Sequence, residues 1–343
     1  MKNQLIECVP NFSEGRNYEI ITKIANVISS VQGVTLLYID KGFDANRTVY
    51  TFVGEPSKVI EAAFLAIKCA SILIDMRNHK GEHPRIGACD VCPIVPIEGV
   101  SMEDAILLSK KLAARVAREL NIPVYLYEHS QPNKARSNLS IIRKGEYEML
   151  PSKMILPEWK PDFGIFFNEK SGATVIGARD FLIAYNVNLN TKSVEIANEI
   201  AAEIRESGYL VNREGKGDKE RIPGALRYVK AIGWYMEHFG IAQVSCNLTN
   251  YRETPIHKVF EEIKMRAIAK GADVTGSELI ALIPLEAMLM AGRYYAEILH
   301  NHSNLSEREL VSIAVERLGL TDCELFNPDE RIIEYAIKRQ QGN

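Results

Sequence analysis

Two histidines, a lysine, a glutamate and an arginine fall within seven residues, HKGEHPR at 79–85. Imidazole titrates near pH 6.5 when unperturbed, so a histidine held among opposing charges can take up and return a proton at neutral pH. His79 and His83 are four residues apart, the spacing that sets two rings on one helix face in H-E-x-x-H zinc sites. Here Gly81 lies between them, Glu82 adjoins the second ring and Pro84 follows, so no helix runs through the pair and the spacing loses its meaning. From the residues alone, a zinc pair, a structural pair and a general acid or base all stay open, and the charged neighbours Lys80, Glu82 and Arg85 favour the third.

Other residues could support such chemistry. Arg47, in Asn46-Arg47-Thr48, opens an apolar run and suits an anion contact as well as it suits a solvated strand end. Asp40 closes VTLLYID, where a carboxylate can face a cationic intermediate or cap the next turn. The stretch FGIFFNEKSGATVIG at 163–177 joins phenylalanines to glycines, which suits a flat heteroaromatic ligand but also a loop with core anchors. Cys89-Asp90-Val91-Cys92 has a C-x-x-C form, yet it enters an apolar strand with no second such pair, which points to packing.

Rigid elements must hold these groups. In the first half, an apolar run at 5–9 precedes a helix over 18–31, strands over 34–40 and 47–54, and a helix from Ser57, read as its N-cap, to about 75. The histidine loop follows, then a strand over 91–95, a helix over 101–120 whose Ser101 and Asp104 form a capping box, and a strand over 123–128. The stretch 129–160 reads as a connector rather than a packed element. A boundary near Arg179 separates domains 1–179 and 180–343. The second half repeats the β-α-β-β-α-β order: a strand over 181–189, a helix over 192–207, strands over 228–235 and 240–248, a helix over 255–270 and a strand near 273–275. The charged stretch 213–221 reads as a mobile surface excursion, and 285–338 as three helices. The fold class expected is α/β (α+β), two similar sandwich subdomains with a cleft between them and extra C-terminal helices.

Composition narrows the function classes. At 343 residues, with 46% hydrophobic and 25% charged residues, the chain can bury substantial cores. Its 41 basic and 44 acidic side chains are mixed along the chain, so neither a nucleic-acid nor a membrane surface is expected. Without an apolar run suited to a signal peptide or a span, the expected location is cytoplasmic, and the six scattered cysteines argue against a disulfide framework.

The strings ECVPNFSEGRN at 7–17, NRTVYTFVG at 46–54, IDMRNHKGEHPRIGACDVCPIVP at 74–96, IPVYLYE at 122–128, GATVIGARDFLIAYNVNLNT at 172–191 and IGWYMEHFGIAQVSCNLTN at 232–250 together resemble the formiminotransferase family. The resemblance runs over nearly the full length. It implies transfer of a formimidoyl group from N-formimidoyl-L-glutamate to N5 of tetrahydrofolate in histidine breakdown, by a homodimer that uses tetrahydrofolate as co-substrate and no metal. It also implies that His83, in GEHPR, is the catalytic histidine. The folate segment would be Gly164, Ile165, Phe166, Phe167, Asn168, Glu169, Lys170, Ser171 and Gly172, about one residue shorter than the family pattern and different in its middle. Asp40 stands where a supporting carboxylate is expected.

Glutamate and folate both bring carboxylates, so Arg47, Lys80 and Arg85 are the expected substrate contacts. Some family members continue into a cyclodeaminase domain; this chain ends soon after Tyr335, so a separate cyclodeaminase is expected to act on the product. The stretch 208–224 is longer than in the shortest members. Two alternatives are another tetrahydrofolate one-carbon reaction, such as 5-formyltetrahydrofolate processing, and folate binding without turnover; the intact GEHPR loop argues against the latter.

Overall fold

The computed structural model describes residues 4–212, 219–299 and 304–341. The chain divides into two compact units, Met1–Asp180 and Phe181–Asn343.

The first unit runs β1 (Leu5–Cys8), β2 (Asn11–Phe12), α1 (Tyr18–Ser29), β3 (Val34–Gly42), β4 (Arg47–Gly54), α2 (Pro56–Leu73), β5 (Cys89–Glu98), α3 (Met102–Leu120), β6 (Val124–Leu126), α4 (Leu139–Arg143), α5 (Glu146–Met154) and β7 (Thr174–Ala178). β1 and β2 both lie between β4 and β5, antiparallel to each. β3 extends the sheet past β4, while β7 and then β6 continue it in parallel beyond β5. Local chemistry sets the helix starts. The Asn17 side chain caps α1, and Ser101 with Asp104 closes the expected capping box on α3. On α2 the N-cap is Glu55 rather than Ser57, because Pro56 takes the first turn, where its missing N–H costs no bond.

Apolar residues of α1, α2 and α3 pack with one face of this sheet, through Ile24, Ala63, Ile67, Leu112, Ile6 and Ile94 among others. The stretch 129–160 departs from its reading as a loose connector. It carries α4 and α5, whose Ile142, Leu150 and Met154 form a further buried cluster with Val91, Tyr125 and Val175. Alternation along β5 and β7 puts Val91 and Val175 on the face opposite Cys92 and Ile176. Only a few apolar positions in α4 and α5 are needed to cover that face, too few to show a period in the sequence.

In the second unit β8 (Ile183–Leu189), α6 (Val194–Ile204), β9 (Tyr209–Asn212), β10 (Lys219–Ile222), β11 (Val229–Met236), β12 (Ile241–Leu248), α7 (Ile256–Ala269) and β13 (Val274–Ile280) precede α8 (Leu285–Ile298), α9 (Glu307–Arg317), α10 (Pro328–Arg331) and α11 (Ile333–Gln341). The main sheet has the order β11-β12-β8-β13, all antiparallel. Labelling the strands of each β-α-β-β-α-β set one to four, both units place them 4-1-3-2 across the sheet, the split βαβ arrangement. The shared element order read in the sequence is thus a shared topology. Positions 213–218 of the charged stretch lie outside the described residues; its flanks pair as the β9–β10 ribbon. Among the described residues no helix is long and apolar enough to cross a membrane.

Candidate active site

The histidine loop leaves α2 and enters β5, and its course is dictated by the turn between β3 and β4. Asn46 sits in that turn with φ +46°, a left-handed conformation that asparagine tolerates better than most residues. Its Nδ2 donates to the Lys80 carbonyl at 2.8 Å, its Oδ1 accepts the Gly15 N–H at 3.0 Å, and its carbonyl accepts from Nε2 of His79 at 2.9 Å. One buried side chain therefore ties the loop to two other segments. Gly81 completes the fit: a Cβ there would lie 2.3 Å from the Ala45 carbonyl oxygen.

His83 is half-buried at the centre of this loop. Its Nδ1–H donates to the Pro84 carbonyl at 2.8 Å, which leaves the lone pair on Nε2, where Nη1 of Arg47 donates to it. Burial pushes the proton affinity of this imidazole well below the usual histidine range, and the guanidiniums of Arg47 and Arg143 push the same way against the Pro84 carbonyl. His83 is therefore a neutral imidazole whose basic nitrogen faces a cation.

Arg47 begins β4 opposite Gly42, and Asp40 pairs with Val49 two positions along, so Arg47 and Asp40 share one face of the strand pair. Burial and then Arg143 lower the Arg47 pKa to about 10, opposed by Asp90 and Asp40. Arg143, the last residue of α4, bonds through Nη2 to Oδ2 of Asp90. Asp90 is fully buried, and its Oδ1 accepts the Ile86 N–H at 2.9 Å. One guanidinium, that of Arg47, thus bonds the imidazole and a second, that of Arg143, bears on it electrostatically, while Asp40 and Asp90 bear on Arg47.

His79 and Arg85 form a separate brace. His79 uses Nε2 on Asn46 and Nδ1 on Arg85, and burial again lowers its proton affinity. All five Arg85 donor hydrogens have partners: His79 Nδ1, the His79 carbonyl at 3.0 Å, Glu146 at 2.9 Å, and both Glu148 oxygens at 2.8 and 2.6 Å. The expectation that Arg85 meets a substrate carboxylate finds its guanidinium already filled. Lys80, by contrast, is exposed.

The segment 164–172 lies against the shoulders of the histidine loop. The Met76 N–H donates to the Lys170 carbonyl at 2.8 Å, the Ala88 N–H to the Ser171 carbonyl at 2.8 Å, and the Ala173 N–H to the Ile86 carbonyl at 3.0 Å. Gly172, at φ +68°, crosses so close that a Cβ would lie 2.2 Å from the Ile86 oxygen. Lys170 Nζ donates to the Ile72 carbonyl at 2.5 Å, Asn168 bonds within the turn to the Ser171 N–H at 2.9 Å, and Phe167 meets Tyr147 with ring centroids 5.8 Å apart. Glu169 is exposed and Ser171 buried. Beyond Gly164, Ile165 and Phe166 stand 76% and 78% exposed. Two adjacent apolar side chains thus reach solvent just before the bonded stretch 168–172.

The family model for the N-terminal subdomain of the formiminotransferase domain matches 5–179, and the formiminotransferase domain model matches 184–338. The chain belongs to the formiminotransferase family. It is 41% identical over 313 residues to the glutamate formimidoyltransferase of Thermoplasma acidophilum, covering 90% of this chain and 98% of that protein. The corresponding Streptococcus pyogenes protein is 40% identical over 311 residues, covering 90% and 99%. The formimidoyltransferase-cyclodeaminase of Dictyostelium discoideum is 48% identical over 338 residues, covering 98% of this chain and 61% of that protein. The chain spans about 60% of the length of the formimidoyltransferase-cyclodeaminases it matches.

Within this formiminotransferase chain, the structure brings together His83, Arg47 and Asp40, places Arg85 in a brace beside them, and sets the segment 164–172 along the same loop. Asn46, Asp90, Arg143, Glu146 and Glu148 did not stand out as site residues in the sequence. Asn46 carried a signal in its turn position; Arg143, Glu146 and Glu148 carried none, since each meets its partner across more than fifty residues.

Proposed function

We propose that this chain transfers the formimidoyl group from N-formimidoyl-L-glutamate to N5 of tetrahydrofolate, giving 5-formimidoyltetrahydrofolate and L-glutamate in histidine breakdown. The observation that carries this reading is the neutral His83 imidazole, with Nε2 as its basic atom, on a loop bonded directly to the segment 164–172. Whole-length similarity to two glutamate formimidoyltransferases supports the same assignment.

In this mechanism N5 attacks the amidine carbon and a new C–N bond forms. Nε2 of His83 accepts the proton released from N5. It then returns that proton to the glutamate nitrogen as the old C–N bond breaks, and the amine leaves. A proton shuttle of this kind contributes about 10²–10⁴-fold. Asp40 stabilises the protonated amidine, whose charge is positive rather than that of an oxyanion. Arg47 and exposed Lys80 receive substrate carboxylates, and Arg85 holds His79 and the loop in place. The platform of Ile165 and Phe166 with Gly164 and Phe167 takes the flat pterin, while Asn168, Glu169, Lys170, Ser171 and Gly172 hold its shape. We extend the family resemblance to domains 1–179 and 180–343, a homodimer and a cytoplasmic location. A cyclodeaminase acting on the product is supported by the double name of the longer relatives.

The test is an assay with tetrahydrofolate and N-formimidoyl-L-glutamate, without ATP, that follows both products. Stoichiometric appearance of glutamate and 5-formimidoyltetrahydrofolate is expected. Folate binding with neither product sinks the transferase reading and directs attention to 5-formyltetrahydrofolate with ATP.

A further inference from the structure

We infer that Arg47 and Arg143 form a two-guanidinium seat for one carboxylate of the glutamate donor, and that filling this seat draws Arg47 away from Nε2 of His83. The base then becomes available only when the acidic donor is in place. This rests on the formimidoyl-transfer reading above.

Three features carry it. First, the Nη1 of Arg47 bonds a neutral ring nitrogen, a weaker acceptor than a carboxylate, so an arriving carboxylate displaces the imidazole. Second, Arg143 bears on the same ring electrostatically from a different element, and its own carboxylate is already committed: Asp90 uses Oδ1 on the Ile86 N–H and Oδ2 on Arg143. Third, Nε of Arg143 is buried with no hydrogen-bond partner, so this guanidinium has unused donor capacity. The charged groups bearing on the pair are Asp40 from β3, Arg47 from β4, Asp90 from β5 and Arg143 from α4. An added carboxylate offsets the two cations that suppress protonation of His83, so the base strengthens as its lone pair is released. Without the donor, Arg47 keeps Nε2 occupied, and the N5 proton of tetrahydrofolate has no acceptor there.

The experiment is a pH titration of the intact protein by NMR with labelled histidine, the His83 resonance being assigned with His83→Ala. It is run free, with L-glutamate, and with tetrahydrofolate alone. L-Glutamate is expected to raise the His83 pKa by about one unit or more, and tetrahydrofolate alone to leave it low. Arg143→Gln is expected to abolish the glutamate response. Because that change leaves Asp90 buried without its cation, Arg143→Lys is the companion variant, expected to retain part of the response. Arg143→Gln should also lower, by about 10- to 100-fold, the kcat/KM ratio of formimidoylglutamate over an N-alkylformamidine donor that carries no carboxylate. Saturating glutamate with an unmoved His83 overturns the inference, as does an equal rise with tetrahydrofolate alone, which would place the folate carboxylate in the seat. Failure of the transferase reading is separate: it is absence of turnover in the assay above, and leaves the glutamate titration readable.

Discussion

Nη1 of Arg47 donates to Nε2 of His83 across 36 residues of sequence, so the first residue of β4 holds the basic nitrogen of the histidine loop. Because Nδ1–H is bonded to the Pro84 carbonyl, no other ring atom is basic. His83→Ala is expected to reduce formimidoyl transfer by about 10²–10⁴-fold while tetrahydrofolate still binds. Turnover near that of the parent protein would remove His83 from its role.

Stability should fall on mild acidification. His79 and His83 take up protons less readily in the folded state than the ordinary value near 6.5, and His257 is lowered to about 4 by burial and by Lys258. Above pH 6.5 these groups are neutral in both states and contribute nothing to the pH dependence. Below it the unfolded chain binds protons that the folded chain refuses, so the folded state loses stability as pH drops from 6.5 toward each lowered value. Urea midpoints measured at pH 7.5, 6 and 5 should descend in that order. A midpoint constant over this range contradicts the assignment.

Asn46 separates two contributions that one substitution would mix. Asn46→Gly keeps the left-handed backbone and loses the bonds to Gly15 and Lys80, at a cost of about 1–3 kcal/mol. Asn46→Ala loses the same bonds and must also hold a positive φ, at about 1 kcal/mol more. Equilibrium unfolding should rank alanine below glycine; the reverse rank argues that the turn relaxes.

Arg85→Gln distinguishes a brace from a substrate contact. With five donors bonded inside the protein, its loss should lower the thermal midpoint, by the equivalent of about 1–3 kcal/mol. The KM for either substrate should change little. A raised KM with an unmoved midpoint would return Arg85 to the substrate.

Phe166→Ala should leave the thermal midpoint unchanged, since the ring is 78% exposed. Loss of an aromatic stack on the pterin should raise the KM for tetrahydrofolate about 2- to 10-fold. An unchanged KM places the pterin elsewhere.

The residue order by itself determined the β-α-β-β-α-β series in each half, the loop carrying His79 and His83, and the family, because period, caps and long motif strings are local along the chain. It also exposed Arg47, which opens β4, and Asp40, two residues before the end of β3, because each is a charged residue bordering an apolar run. Tertiary structure alone decided which of the basic residues spend their donors within the protein. Arg85 reads like Arg47 in the sequence, yet Glu146 and Glu148 occupy it from 61 and 63 residues away. Arg143, silent in the sequence, bears on His83 electrostatically because α4 covers the far face of the sheet and Asp90, 53 residues earlier, holds its guanidinium. Such pairings depend on packing between distant segments, which leaves no periodic trace in the order of residues.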